Sequence, residues 1–363
     1  MKVMTILGTR PELIRLSLVI ERLDPLCEHV LVHTGQNYEA ALGEVFFSEL
    51  GIRAPDRHLG VRGQHSGERV GQILSSAETV MRELKPDRVL VLGDTDSALA
   101  GFMAKRLGIP LFHLEAGNRC FDDRVPEEVN RRVIDHSSDV LMPYSEQSRA
   151  HLLREGIAPG RIYVTGNPIA EVLRRHREAI AESDVLSRLG LKASEYFLLT
   201  AHRQENIDLE PRLRSLIAAT RAVARRHGMP VICSVHPRLR ARLEQFGVEM
   251  TDADVRPYPA FGFFDFVQLE RNARCVLTDS GTVQEECCIL GIPAVTLRDT
   301  TERPETIECG SNVLSGVEPE AVLRAVTIAL AGPGAWVVPP AYLAPRVSDT
   351  VVAIVLGANQ GRG

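Results

Sequence analysis

Short apolar runs, each stopping at a glycine or a polar cluster and each followed by helical spacing, recur along this chain. Residues 3–7 stop at Gly8-Thr9-Arg10-Pro11-Glu12, and Leu13, Leu16, Ile20 and Leu23 then mark one face of a helix. Residues 30–33, 88–92, 108–114, 140–142 and 162–164 repeat the pattern, with helical stretches at 40–50, 67–83 and 97–107 between them. This alternation predicts a doubly wound parallel sheet. A charged helical connector is expected over 173–193. The pattern then restarts at 196–199, 230–235, 275–277 and 293–297. Two Rossmann-like α/β domains are therefore expected, 1–170 and 171–345, with a helix and tail at 346–363. A central cleft between the two is part of that expectation.

A length of 363 residues agrees with two domains. The 42 basic and 47 acidic residues leave a net charge of −5, which speaks against nucleic acid or an anionic membrane as partner. No apolar run reaches the roughly 20 residues of a membrane span, and the first residues do not resemble a secretory leader, so a cytoplasmic location is expected. The seven cysteines are scattered without a Cys-x-x-Cys, which reads as reduced thiols rather than a disulfide framework or a zinc site.

The chemistry gathers at the predicted strand ends, where open α/β sheets bind ligands. The stretch 112–132 sets Glu115, Asp122, Asp123, Glu127 and Glu128 among Arg119, Arg124, Arg131 and Arg132. So dense a set of carboxylates is costly to desolvate without a purpose, although exposed ion pairs on a solvated loop would look the same. Asp94 ends another strand. Asp94-Thr95-Asp96 has the form of a metal clamp, but Asp96 falls where an N-cap would sit, so no metal is expected. Asp279-Ser280-Gly281 runs from a strand into a helix start, a seat for phosphate, with Glu285 within reach of hydroxyls; the plainer reading makes Asp279 and Ser280 caps. Arg10 ends the first strand and suits a diphosphate. His202 and His236 end two strands of the second half, where a lone histidine is more often structural than catalytic.

Taken together these residues resemble the non-hydrolysing UDP-N-acetylglucosamine 2-epimerases. The match runs through Gly8-Thr-Arg-Pro-Glu12, Gly93-Asp-Thr-Asp96, His113-Leu-Glu-Ala-Gly117, Pro126-Glu-Glu-Val-Asn-Arg131, Thr165-Gly-Asn-Pro168, His202-Arg-Gln-Glu-Asn206, Asp279-Ser-Gly-Thr-Val-Gln-Glu-Glu286 and Leu297-Arg-Asp-Thr-Thr-Glu-Arg-Pro-Glu305. The resemblance implies a GT-B-like fold, a homodimer, and a reaction without metal or cofactor on a UDP-sugar. In that reaction UDP is eliminated to leave a 2-acetamidoglucal and is then added back. By motif match Asp94, Glu115, Glu127, Arg131 and His202 would serve catalysis. Arg10, His202, His236, Ser280, Gly281 and Glu285 would hold UDP.

Two stretches depart from the family pattern. Asn118-Arg-Cys-Phe-Asp-Asp-Arg124 is a short variant similar to the subgroup acting on UDP-N-acetyl-6-deoxy-L-talosamine, which is the alternative to UDP-GlcNAc as substrate. Gln36-Asn37-Tyr38-Glu39 replaces the motif that resemblance would require for activation by substrate. A GT-B glycosyltransferase would share the UDP site but has no use for facing carboxylates. A hydrolysing epimerase and a non-catalytic nucleotide-sugar sensor are the remaining rivals.

Overall fold

Val3, Met4, Ile6 and Leu7 are all fully buried, so the first apolar run is covered on both faces and needs no alternation. The same holds for Val89, Leu90 and Val91, and for Val231 and Ile232. Each such side chain contributes about 1.5–3 kcal/mol when fully buried. The computed structural model describes residues 1–36, 40–63, 65–332 and 334–357. Positions 37–39, inside the Gln36–Glu39 departure, lie outside the described residues, as does the tail after 357.

The chain forms two units, Met1–Arg175 together with the segment from Pro340 onward, and His176–Pro339. In the first, β1 (Lys2–Leu7), β2 (Glu28–His33), β3 (Arg57–His58), β4 (Arg88–Leu92), β5 (Leu111–Leu114) and β6 (Val140–Met142) form one parallel sheet ordered β3-β2-β1-β4-β5-β6. In the second, β7 (Phe197–Thr200), β8 (Val231–Val235), β9 (Val255–Pro259), β10 (Cys275–Thr278), β11 (Ala294–Thr296) and β12 (Asn312–Leu314) are ordered β12-β11-β10-β7-β8-β9. The two orders are the same topology. Strand order reverses between β1 and β4 in one sheet and between β7 and β10 in the other, and these are the places where doubly wound sheets take ligands.

Helices Ser66–Leu84 and Ala100–Arg106 cover one face of the first sheet, burying Ile73, Ala77, Met81 and Ala104 against Met4, Ile6, Val89 and Val91. In the second unit, helices Glu210–His227 and Pro319–Ala331 pack Leu213, Leu216, Val322 and Val326 on Phe197, Leu199 and Val231.

The expected strand at 162–164 reduces to a single bridge between Leu141 and Ile162. The N–H groups of Tyr163 and Thr165 still donate to the carbonyls of Leu141 and Pro143 at 2.9 and 3.0 Å, so the segment follows β6 without adding a full strand. The connector expected as one helix is three short ones, Ile169–Arg175, Arg177–Glu182 and Val185–Arg188. The final helix, Val347–Gly357, belongs to the first unit and packs on Arg10–Leu23. Glu171 fixes its start by accepting from the backbone N–H and the hydroxyl of Ser348 at 2.9 and 2.7 Å.

Candidate active site

In the first unit the strand ends at the reversal point carry the candidates. Arg10 opens the helix that follows β1, and its guanidinium lies over the Phe46 ring, 5.6 Å from the centroid. Asp94 follows β4. Arg131 grips its Oδ2 through Nε at 2.8 Å and Nη2 at 2.7 Å, and Asn130 donates to its carbonyl at 2.9 Å. Glu115 follows β5 in the left-handed region, φ 72°, which costs a non-glycine residue roughly 1–2 kcal/mol. The surroundings hold it there: Arg15 donates to Oε2 at 2.5 Å, Tyr144 to the same oxygen at 3.3 Å, and Asn118 to Oε1 at 3.1 Å. Strain kept in place by three partners on a buried carboxylate is the pattern of a functional position.

Helix Pro126–Ser137 supplies the rest. Glu127 is half-buried in its first turn, close enough for its charge to be felt by Asp96. Asp96 is not the N-cap expected; Thr95 holds that position, and Asp96 lies 3.6 Å from Arg69. Burial raises the Asp96 carboxyl above its ordinary range, with Arg69 opposing.

Four residues outside the expected catalytic and UDP-binding set hold it together. Glu12 is buried and accepts from the Gly8 and Thr9 N–H groups at 2.9 and 2.7 Å and from the Thr95 hydroxyl at 2.8 Å, tying the end of β1 to the end of β4. Burial pushes its carboxyl up to about 7, against those hydrogen bonds. Glu128 accepts from Arg131 at 2.6 Å and from the N–H groups of Cys120 and Phe121 at 3.0 and 3.1 Å. It thereby joins the short 118–124 segment to the arginine that grips Asp94. Asp135 meets His113 Nδ1 and Arg119 at 2.8 Å each, and the other ring nitrogen of His113 meets the Gly93 carbonyl at 2.8 Å. Burial would raise Asp135, but His113 and Arg119 outweigh it and hold the carboxyl low. Arg15 is the fourth. Its signal was its place one and a half turns into the first helix among apolar neighbours, where an arginine needs an anion.

In the second unit the corresponding strand ends are those of β7 and β10. His202 and His236, from the ends of neighbouring strands β7 and β8, lie ring against ring with centroids 5.4 Å apart. His236 also caps its own helix, Nδ1 accepting from Arg238 N–H at 3.2 Å. Ser280 and Gly281 begin helix Gly281–Leu290 with Ser280 at the N-cap and half-exposed. A Cβ on Gly281 would sit 2.5 Å from Glu302 Oε1, so any side chain there would have to displace that carboxylate.

Asp279 is not a cap. It is fully buried and accepts from the N–H groups of His202 and Arg203 at 3.0 and 2.9 Å, welding the two strand ends together. Burial raises its carboxyl despite these contacts. Glu285 is fully buried and paired with Arg303, so in this conformation its carboxylate is engaged by that guanidinium. Glu302 in turn binds Arg298 at 2.7 Å and Arg203 at 3.3 Å. These ion pairs come from the 297–305 segment, whose charge density was visible in the sequence but was not read as scaffold.

A family model described as UDP-N-acetylglucosamine 2-epimerase matches residues 22–356. The chain belongs to that family. The 2-epimerase of Methanocaldococcus jannaschii is 40% identical over 339 residues, 91% of this chain and 92% of that protein. A crystal structure of the M. jannaschii UDP-GlcNAc 2-epimerase in complex with UDP-GlcNAc and UDP matches with TM-score 0.94 and 36% identity, over 99% of this chain and 100% of that one. The Rickettsia bellii 2-epimerase structure matches with TM-score 0.90 and 42% identity, over 98% and 96% of the two chains. The GT-B-like fold of two Rossmann-like domains, the family and the epimerase class, an isomerase of nucleotide sugars, are thus established as the sequence led us to expect. No helix among the described residues is long and apolar enough to cross a membrane.

Proposed function

We propose that this protein inverts C2 of UDP-GlcNAc to give UDP-ManNAc. The reading is carried by the placement of Asp94 and Glu115, two carboxylates on adjacent strands at the ligand-taking end of the first sheet, gripped by Arg131 and Arg15. Two faces of one carbon need two proton-handling groups. The C2 hydrogen has no neighbouring carbonyl to acidify it, so breaking the C1–O bond leads and the sugar passes through an oxocarbenium-like state. Asp94, Glu115 and Glu127 stabilise that positive charge, and one of them takes the C2 proton to leave 2-acetamidoglucal and UDP. A proton is then returned to the opposite face of C2 while a phosphate oxygen of UDP reattaches at C1. Arg10, His202, His236, and the helix start at Ser280 and Gly281 hold the diphosphate, with Glu285 toward the ribose.

The reaction calls for no metal or cofactor in this reading. The location is cytoplasmic, in keeping with seven unbridged cysteines. The enzyme works as a homodimer, for which Phe102, Val129 and Val133, exposed on two packed helices of the first unit, supply an apolar face. Sedimentation at micromolar concentration should return twice the mass of 40.0 kDa.

The substrate is tested by incubating UDP-GlcNAc and UDP-N-acetyl-6-deoxy-L-talosamine separately with enzyme in D₂O and following C2 by NMR. Deuterium should enter UDP-GlcNAc, with UDP-ManNAc accumulating. Exchange into the deoxy sugar alone would transfer the reading to that substrate, and exchange into neither would remove it.

A further inference from the structure

The Sγ atoms of Cys288 and Cys309 lie 3.7 Å apart. Cys288 lies in the last turns of helix Gly281–Leu290, and Cys309 caps the end of helix Pro304–Glu308. The two thiols differ in access. Cys288 is buried, whereas Cys309 is half-exposed beside the exposed Gly310. The Cys309 sulfur also lies 3.5 Å from the Thr306 carbonyl and 3.4 Å from the Ser311 hydroxyl. Nothing in the epimerase reaction uses either sulfur.

We propose that Cys288 and Cys309 form a thiol-modification site, closed to a disulfide by exchange with a low-molecular-weight disulfide of the glutathione type. The Cys309 thiolate attacks one sulfur of the oxidant, forming a mixed disulfide and releasing one glutathione thiolate. Cys288 then displaces the second glutathione, and its sulfur bonds to that of Cys309. The protein gives up two protons and two electrons, and the oxidant is reduced to two thiols. The sulfurs must move from contact to the bonded distance of about 2.05 Å, a shift that side-chain rotation on two helix ends absorbs.

The buried partner sets the pace. Burial pushes the Cys288 thiol up to about 12, so the closing step is slow near neutrality and quickens as the pH rises. A cytoplasmic enzyme would carry such a bond transiently, under oxidising stress.

The crosslink would fasten the far ends of two segments whose near ends already meet, since Glu285 of the first is paired with Arg303 at the start of the second. It would close residues 288–309 into a loop and raise the thermal midpoint of the second unit by constraining its unfolded chain. A reporter stands beside it. Trp336, the sole tryptophan of the sequence, donates its indole N–H to the Cys288 carbonyl at 2.9 Å. A disulfide this close quenches indole emission.

The test treats the full-length protein with oxidised glutathione at pH 8.5 and follows tryptophan emission, thermal midpoint and a non-reducing peptide map. Expected are a peptide joined through Cys288 and Cys309, a fall in emission, a higher midpoint, and reversal of all three by dithiothreitol. Cys309→Ser should abolish the crosslink and the emission change together while leaving epimerisation at the untreated level. A map in which Cys309 carries only glutathione, or in which Cys288 joins another cysteine, would overturn the proposal. So would an unchanged map after prolonged treatment.

Discussion

Asp94, Glu115 and Glu127 differ in how firmly the fold holds them, and the difference bears on what their removal should do. Asp94→Asn and Glu115→Gln keep most of the hydrogen-bonding shape while removing the charge from Arg131 and Arg15; Glu127→Gln changes a half-buried group at a helix start. Each is expected to lower turnover at least about 100-fold, the worth of a general acid–base group, with UDP affinity by calorimetry nearly unchanged. Near-normal turnover in all three variants would remove the carboxylates from the mechanism. Asp94 and Asp96 both face guanidinium groups, Arg131 and Arg69, so the Asp-x-Asp pair is occupied by protein cations. Turnover should therefore survive EDTA, and its loss on chelation with recovery on adding Mg²⁺ would return the pair to metal binding. At this scale the sequence showed where a residue falls: Asp94 and Glu115 follow β4 and β5 as the apolar runs before them predict. It was not readable where one charged residue acts only by holding another. Glu12 lies 83 residues from Thr95 and Asp135 lies 22 from His113, and only the folded sheet brings each pair together; Glu128 is local to Arg131, but its charge alone does not show which group it holds.

Elements were legible in proportion to their apolar content. The central strands β1, β4, β7 and β10 announce themselves as continuous apolar runs because helices cover both of their faces. The sheet edges did not. β3 is two exposed residues, Arg57 and His58, and β9 contains Pro257 and Pro259, tolerated because it is an edge strand with one side unpaired. The junction after β1 shows how tightly a central strand end is built. Gly8 has no room for a side chain: a Cβ there would lie 1.9 Å from Thr34 Oγ1 and 2.2 Å from Ser97 Oγ, two hydroxyls that bond each other at 2.7 Å. Ser97 also binds Gln36 Oε1 through its N–H and hydroxyl at 3.0 and 2.8 Å. Gly8→Ala must push these groups apart and should cost about 1–3 kcal/mol, the usual penalty of overpacking. Urea denaturation would measure it. The double variant Gly8→Ala/Thr34→Ala should recover part of the loss, and a neutral single variant would show that the junction yields.

At the scale of the whole molecule the two units repeat one topology with different contents: carboxylates and arginines at the reversal point of the first sheet, histidines and a helix start at that of the second. The repeat was legible because the βα pattern restarts, and the strand order was not, because pairing joins strands far apart in sequence such as β7 and β10. The units also differ in what they bury away from their sites. In the second, Glu270 is fully buried beside Glu286, itself 3% exposed. Burial above all, then the charge and hydrogen bond of Glu286, raises the Glu270 carboxyl well above its ordinary range. A carboxyl raised in the folded state binds a proton that the unfolded chain has released, so its stabilising effect is complete below its unfolded value near 4.5 and is lost as pH rises through the folded value. Glu270→Gln keeps a donor toward Glu286 and has no proton to lose. Variant and wild type should therefore unfold at similar urea concentrations at pH 4.5. Above that pH the wild type should fall behind by up to about 1.4 kcal/mol per pH unit until the folded carboxyl ionises. Monitoring the second unit through Trp336 emission isolates the effect from Glu12, whose carboxyl, raised to about 7, gives the first unit a loss of the same sign between about 4.5 and 7. A constant gap between Glu270→Gln and wild type from pH 4.5 to 8.5 would mean that Glu270 folds already ionised, against the burial that surrounds it.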